Sequence, residues 1–252
     1  MLPASLNDHS TMEKEIEEIT NWKKLRPVLN NNYDYNANSQ NWTEAIKLFQ
    51  KRLNRKFFNP IKSIIDKNIL EGEGFTIVTV QCAIIESLAS FRTGQIFAHE
   101  KVKGQPSYIY NKSAKMFVSF LHSSIIFKDN FYQIDNVGNL IPDIPFSASD
   151  FYSCVRCGLM HEARTKGEWY INATKKDVKT EKVFIERDGT KIKLLRTILH
   201  YRLRDCITEY LQDLEQISAN GNSLRRFFGR KLDHLFDIQT ADQIGYDWWT
   251  EP

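Results

Sequence analysis

Arg156 and His161 stand five residues apart in the stretch FYSCVRCGLMHEARTKGEW, residues 151–169. A guanidinium holds a phosphate through two parallel hydrogen bonds and stays charged at any working pH. An imidazole takes or gives a proton near neutrality, so the pair suits phosphodiester cleavage without a metal. Spacing alone is a thin signal, because thirteen arginines and six histidines in 252 residues would produce one such pair by chance about 0.3 times. Arg92 and His99 make a second, looser pair, but they straddle Gly94, a predicted helix stop, and fall on different elements. What singles out Arg156 is the longer block. Gly158, the apolar Leu159 and Met160, His161, Glu162 and Ala163 follow it, with a glycine-to-aromatic exit from Gly167 to Trp169. A plainer account also fits: an arginine ion-paired at a helix surface, and a histidine near a helix C-terminus where a cation is favoured.

The apolar spacing predicts a motif helix capped by Ser147 or Ser149 and running to about 163. Residues five apart on an α-helix lie about 140° apart around its axis, so one helix does not stack Arg156 over His161 and a second surface must complete the site. Upstream, a helix begins near Trp42 with Asn41 as its N-cap, and Pro60 restarts another. A long helix over about 75–92 ends at Gly94, and a further one covers about 112–123. A glycine and proline loop occupies 136–145. Downstream the period changes. Short strands are predicted over 169–173 and 182–186, forming a hairpin near 168–187, with Asp188-Gly189 as a turn signal. A long helix over about 191–216 follows, broken at Asn220-Gly221, and a basic amphipathic helix LRRFFGRKLDHLF comes last. Residues 1–38, with their acidic cluster and Asn-rich tract, read as a polar, loosely ordered arm with at most one short helix, and 39–252 as one helical domain.

Several other side chains are candidates for the site. Glu86 is a carboxylate in an otherwise apolar helix, where charge is costly unless paired; it is a candidate for the site, or it turns to solvent beside Arg92. Glu162 and Arg164 flank the histidine and could contact RNA or each other, though as i and i+2 neighbours on a helix they would not face one another. Glu162 is a supporting candidate and Arg164 and Lys166 are nucleic-acid candidates, the alternative being an ordinary solvated helix end. Arg225 and Arg226, in a run with Arg230 and Lys231 interleaved with Phe227 and Phe228, could grip a phosphate backbone or simply form a solvated face. Cys154 and Cys157 make a CxxC with no second Cys/His pair to complete four zinc ligands, so no metal is expected.

Composition bounds the class. The chain is 42% hydrophobic and 26% charged, enough to bury a sizeable core. Its net charge of +3 neither demands nor excludes a nucleic acid. Four scattered cysteines and an N-terminus without an apolar core point to a reducing, cytoplasmic setting. The most apolar run, residues 75–85, reads as too short and too polar to span a bilayer. No P-loop, dinucleotide fingerprint, HExxH or serine nucleophile elbow appears, and no cofactor is expected.

The block from Arg156 to Ala163, over a resemblance covering about residues 75–172, is similar to the signature of the HEPN superfamily, Arg-x4-6-His on a helix of a small bundle. It most resembles a plasmid-borne bacterial branch with an RCGL-hydrophobic-HEA run. The resemblance implies a mainly α fold: an antiparallel helical bundle, here with extra helices and a small β-hairpin. It implies a homodimer through the motif helix, whose paired Arg156 and His161 line one cleft. It further implies a metal-independent ribonuclease leaving 2′,3′-cyclic phosphate ends, used in bacterial or plasmid conflict as a toxin or phage-defence effector, with an antitoxin or regulatory protein as a possible partner. The alternative is a non-catalytic relative that binds RNA or a protein. By the same resemblance Glu86 would be the acidic residue such proteins carry on the preceding helix, there to orient Arg156, and Cys157 stands where these nucleases place Asn, Asp or His.

Overall fold

The computed structural model of the chain describes residues 6–67, 71–131, 137, 147–174, 178 and 180–250, and it is mainly helical. In chain order the elements are α1 (Leu6–Leu29), α2 (Tyr35–Leu53), α3 (Asn59–Lys67), α4 (Glu73–Thr93), β1 (Ile96–Phe97), β2 (Ile109–Tyr110), α5 (Ser113–Ser123) and α6 (Ile125–Phe131). There follow α7 (Ala148–Asp150), α8 (Gly158–Glu162), β3 (Trp169–Asn172), β4 (Ile185–Asp188), β5 (Lys191–Leu195), α9 (Arg196–Glu215), α10 (Ala219–Leu235) and α11 (Thr240–Gln243). Two π-helical segments, Asn54–Phe58 and Phe151–Cys157, join helices on either side, and a 3-10 turn covers Asp247–Trp249. The loop expected over 136–145 lies outside the described residues except for Val137.

The chain divides into two compact units. The first comprises Met1–Arg52, Phe91–Tyr110 and Leu211–Pro252. Its core holds Trp22, Leu29, Trp42, Phe49, Phe91, Phe228 and Trp248. Asp233 lies at its centre, fully buried, and its two carboxylate oxygens accept five hydrogen bonds. Trp22 Nε1 and Arg26 Nε reach Oδ1 at 2.8 Å; Arg26 Nη2, Trp248 Nε1 and Trp249 Nε1 reach Oδ2 at 2.7, 2.9 and 2.9 Å. These bonds account for a departure from the sequence reading. Residues 6–29 are one long helix rather than a loose arm, because Trp22, Leu25 and Leu29 bury a stripe at its end and Arg26 is ion-paired to Asp233. Gly94 ends α4 with φ at +64°, as its sequence position predicts, and a Cβ there would press on the Phe227 ring at 2.7 Å.

The second unit comprises Leu53–Ser90 and Asn111–Tyr210. A run of rings from Phe120 through Phe127, Phe184, Phe131 and Phe151 to Trp169 ties α6, the motif helix and the sheet together, with centroids 5.7–6.0 Å apart. The sheet has the order β3-β5-β4, with β3 parallel to β5 and β4 antiparallel to it. The hairpin expected near 168–187 is not formed, because β3 and β4 do not pair with each other but each with β5; the hairpin is β4–β5, closed by the expected Asp188-Gly189 turn with Gly189 at φ +62°. Residues 191–195 are therefore a strand, not the start of a helix. Lys191-Ile192-Lys193-Leu194 alternates with period two, burying Ile192 and Leu194 while the chain pairs on both edges. The next break also differs: α9 ends at Glu215, and Ser218 Oγ caps α10 by accepting from Gly221 N at 3.0 Å, so Asn220-Gly221 lies inside a helix.

By length and composition α4 could cross a membrane, since the helix extends well past the apolar run read from sequence. Of that apolar window, 56% is buried within the protein, as in an interior helix.

His200 on α9 is 1% exposed, and neither ring nitrogen has a hydrogen-bond partner among the described residues. The ring packs near Phe58 and Tyr201, at 5.6 and 5.3 Å between centroids. Burial, reinforced by the charges of Arg204 and Lys62 and opposed by Asp66, holds its pKa down to about 4. The native state keeps the imidazole neutral where the unfolded chain protonates it near pH 6.5, so stability falls as pH drops from about 6.5 toward 4. Urea unfolding should show roughly 2 kcal/mol lost to this group between pH 7 and 4.5. His200→Leu should remove that component; an unchanged acid loss in the variant would assign it to other groups.

Candidate functional site

The motif helix starts on Ser147 through a capping box: Ser147 Oγ accepts from Asp150 N at 3.0 Å, and Asp150 Oδ2 accepts from Ser147 N at 3.3 Å. From Phe151 to Cys157 the helix widens into π geometry before returning to α form at Gly158. The carbonyl of Cys154 accepts instead from Lys166 N at 2.9 Å, in the chain that doubles back past the helix end. Gly158 permits that return, because a Cβ there would lie 2.5 Å from the Arg164 carbonyl oxygen. The helix closes on Ala163, whose φ of +52° is in the left-handed region. Such widened turns recur at functional sites.

Arg156 leaves the π segment and donates from Nη2 to Glu86 Oε2 on α4 at 2.9 Å. The two side chains are 18% and 24% exposed, half-buried but reachable. Burial works against the guanidinium charge, yet the Glu86 hydrogen bond and charge outweigh it and hold its pKa above the ordinary value. Its carbon lies 5.5 Å from the centre of the Tyr152 ring, four residues earlier on the same helix. Tyr152 Oη is hydrogen-bonded to Ser113 Oγ at 2.9 Å, and Phe117 packs edge-on against the ring. Among the described residues nothing accepts from Arg156 Nε or Nη1, so two donors remain for an anion. Cys82, buried beneath the Arg156–Glu86 pair on α4, has its thiol pushed up to about 12 by burial and stays protonated.

His161 sits exposed in the last helical turn, next to the exposed Met160. No hydrogen bond or ion pair joins it to Arg156 among the described residues, in keeping with the separation expected around the helix. Glu162 takes Lys166 Nζ at 2.5 Å and Arg164 Nε at 3.6 Å, and the Lys166 hydrogen bond holds its carboxyl below the usual range. Glu162, Arg164 and Lys166 thus form one exposed charged cluster beside the histidine. Cys157 is half-buried; Cys154 and Cys157 are free thiols within the π segment.

The structure thus brings Arg156 and Glu86 together, joins His161 to neither by a hydrogen bond or ion pair among the described residues, and buries Arg225 of α10 while Arg226 stays half-exposed. Arg225 is fully buried, donating to the carbonyls of Tyr33, Leu214 and Gln216 and to Asn222 Oδ1. Its donors are spent closing the end of α9. Arg226 donates to the Asp247 and Thr250 carbonyls at 2.9 Å, holding the 3-10 turn. Nor is the stripe a solvated face, since Arg230 and Lys231 are buried too, the latter's ammonium held down to about 8 by desolvation. Arg92 pairs with Asp213 at 2.9 Å, away from His99, which packs on Phe97. Sequence reasoning missed Tyr152 and Ser113. The four-residue step from Tyr152 to Arg156 was a usable signal; Ser113 was reachable only through the fold.

No protein-family model, curated protein or solved structure matches the chain.

Proposed function

We propose that the protein is a metal-independent endoribonuclease of HEPN type, acting as a homodimer in bacterial or plasmid conflict. The observation that carries this reading is the Arg156–Glu86 pair: a half-buried arginine, oriented by a carboxylate and keeping free donors, on a helix whose last turn exposes a histidine. His161 is the base that takes the proton of the ribose 2′-hydroxyl, and Arg156 stabilises the charge developing on the attacked phosphate. The 2′-oxygen bonds to phosphorus as the P–O5′ bond breaks, the 5′-oxygen leaves and takes up a proton from water as a 5′-hydroxyl, and a 2′,3′-cyclic phosphate remains. Because no hydrogen bond or ion pair joins the two groups within one chain among the described residues, a second motif helix would complete the cleft, and a patch on a two-fold axis is doubled automatically.

A second reading is an RNA-binding or protein-interaction module without catalysis. Cys157 favours it, since a thiol is a weak hydrogen-bond donor in support of a site. Purified protein incubated in EDTA with single-stranded and structured RNA, and with DNA of the same sequence, separates the two. The nuclease cuts RNA and spares DNA, which lacks the attacking hydroxyl. An RNA left intact but bound supports the module, and cleavage of both nucleic acids contradicts the mechanism.

A further inference from the structure

Arginine carries about 2 kcal/mol of side-chain rotamer freedom, and a guanidinium that must be frozen each time substrate arrives loses that much of its grip. Arg156 is restrained from two directions. Glu86 takes one Nη2 hydrogen, and the centre of the Tyr152 ring lies 5.5 Å from the guanidinium carbon, within cation–π range. The carboxylate alone fixes one end and leaves the plane free to swing about the hydrogen bond; an aromatic ring beside it limits the tilt while leaving the N–H donors directed outward. The ring is itself held. Its hydroxyl is hydrogen-bonded to Ser113 Oγ at the start of α5, and Phe117 packs on it edge-on at 5.4 Å. Ser113, Tyr152, Arg156 and Glu86 therefore form one relay from α5 through the motif helix to α4.

We infer that Tyr152, anchored by Ser113, is the positioning residue that holds Arg156 in register for a substrate phosphate. The inference rests on the ribonuclease reading above and extends it to residues that do no chemistry themselves. Removing the ring leaves Arg156 present and paired with Glu86 but free to tilt. The loss then falls on the transition state, where geometry matters most, rather than on substrate binding.

The test is steady-state cleavage of an RNA oligonucleotide by the full chain in EDTA, with His161→Ala as the inactive control and circular dichroism as the check of folding. Tyr152→Leu is expected to lower kcat about 10- to 30-fold with KM within about threefold, and Tyr152→Phe to restore kcat to within about threefold of the original protein. Ser113→Ala, which deletes only the anchoring hydroxyl, is read in parallel and is expected to lower kcat about threefold. Wild-type cleavage that is lost in His161→Ala but unchanged in Tyr152→Leu and Ser113→Ala overturns the positioning role and leaves the nuclease reading standing. Activity that falls only in proportion to the folded fraction makes Tyr152 a packing residue and also overturns it. A wild-type protein that neither cleaves RNA nor binds a non-cleavable 2′-O-methyl oligonucleotide removes the reading itself, and the inference with it.

Discussion

His161→Ala is expected to lower RNA cleavage by about a thousandfold or more, while the melting temperature stays within a degree or two of the parent's. The activity loss follows from deleting the proposed proton acceptor, a role worth about 10²–10⁴ in rate. The preserved stability follows from exposure: the imidazole has no hydrogen-bond or ion-pair partner among the described residues, and surface replacements of that kind usually change stability by less than about 0.5 kcal/mol. Arg156→Ala is expected to cost a similar factor in rate, by removing the charge that stabilises the phosphate in the transition state. Its effect on stability differs, because Glu86 is left half-buried without its partner and the fold should lose about 1–2 kcal/mol. Adding Glu86→Gln to Arg156→Ala should recover part of that stability and none of the activity. The contrast separates a site from a structural ion pair. If His161→Ala cleaves as fast as the parent, the histidine has no part in the chemistry.

Asp233→Ala is the substitution expected to damage the fold most. It deletes the acceptor of five hydrogen bonds at once and leaves Arg26 buried and unpaired beside three unsatisfied indoles. Breaking one partner out of a buried ion pair costs about 3–5 kcal/mol, before the indole N–H groups are counted. Against a total stability of about 5–15 kcal/mol, that is enough to unfold the first unit at ambient temperature. Tryptophan emission reports it directly, since Trp22, Trp248 and Trp249, three of the five tryptophans, all donate to this carboxylate. The spectrum of the variant should shift to the red without denaturant. A urea midpoint within about 1 kcal/mol of the parent's would mean that the network contributes far less than its geometry implies.

The same carboxylate shows why part of the fold was illegible in the sequence. Residues 6–29 look polar and unstructured because their apolar residues are sparse, with Trp22, Leu25 and Leu29 buried but Met12, Ile16 and Val28 exposed, and the acceptor for Trp22 and Arg26 lies more than two hundred residues further on. The basic stripe of α10 misled for a related reason. Four cations in a helix suggest solvent or phosphate, whereas Arg225 and Arg230 spend their donors on main-chain carbonyls brought close only by folding. What was legible was signalled locally. Ser147 caps the motif helix, Gly94 stops α4, and Asp188-Gly189 turns a hairpin, each through the conformational preference of a single residue. Residues 191–195 carry both a period of two and leucines that continue a helical face, and only pairing on both edges of β5 decides between them.

At the candidate site, Glu86 could be picked out because a lone carboxylate in an apolar helix needs a partner, and Arg156 is the partner it has. The π segment could not be foreseen. It coincides with the chain after Ala163 returning so that Lys166 N bonds the Cys154 carbonyl, a contact that Gly158 allows but does not announce.

The most direct test of the ribonuclease account is analysis of product ends after incubating RNA in EDTA with the parent protein and with His161→Ala. The account predicts 2′,3′-cyclic phosphate and 5′-hydroxyl ends from the parent and no products from the variant. Products bearing 3′-hydroxyl ends, or the same products from both proteins, would contradict it.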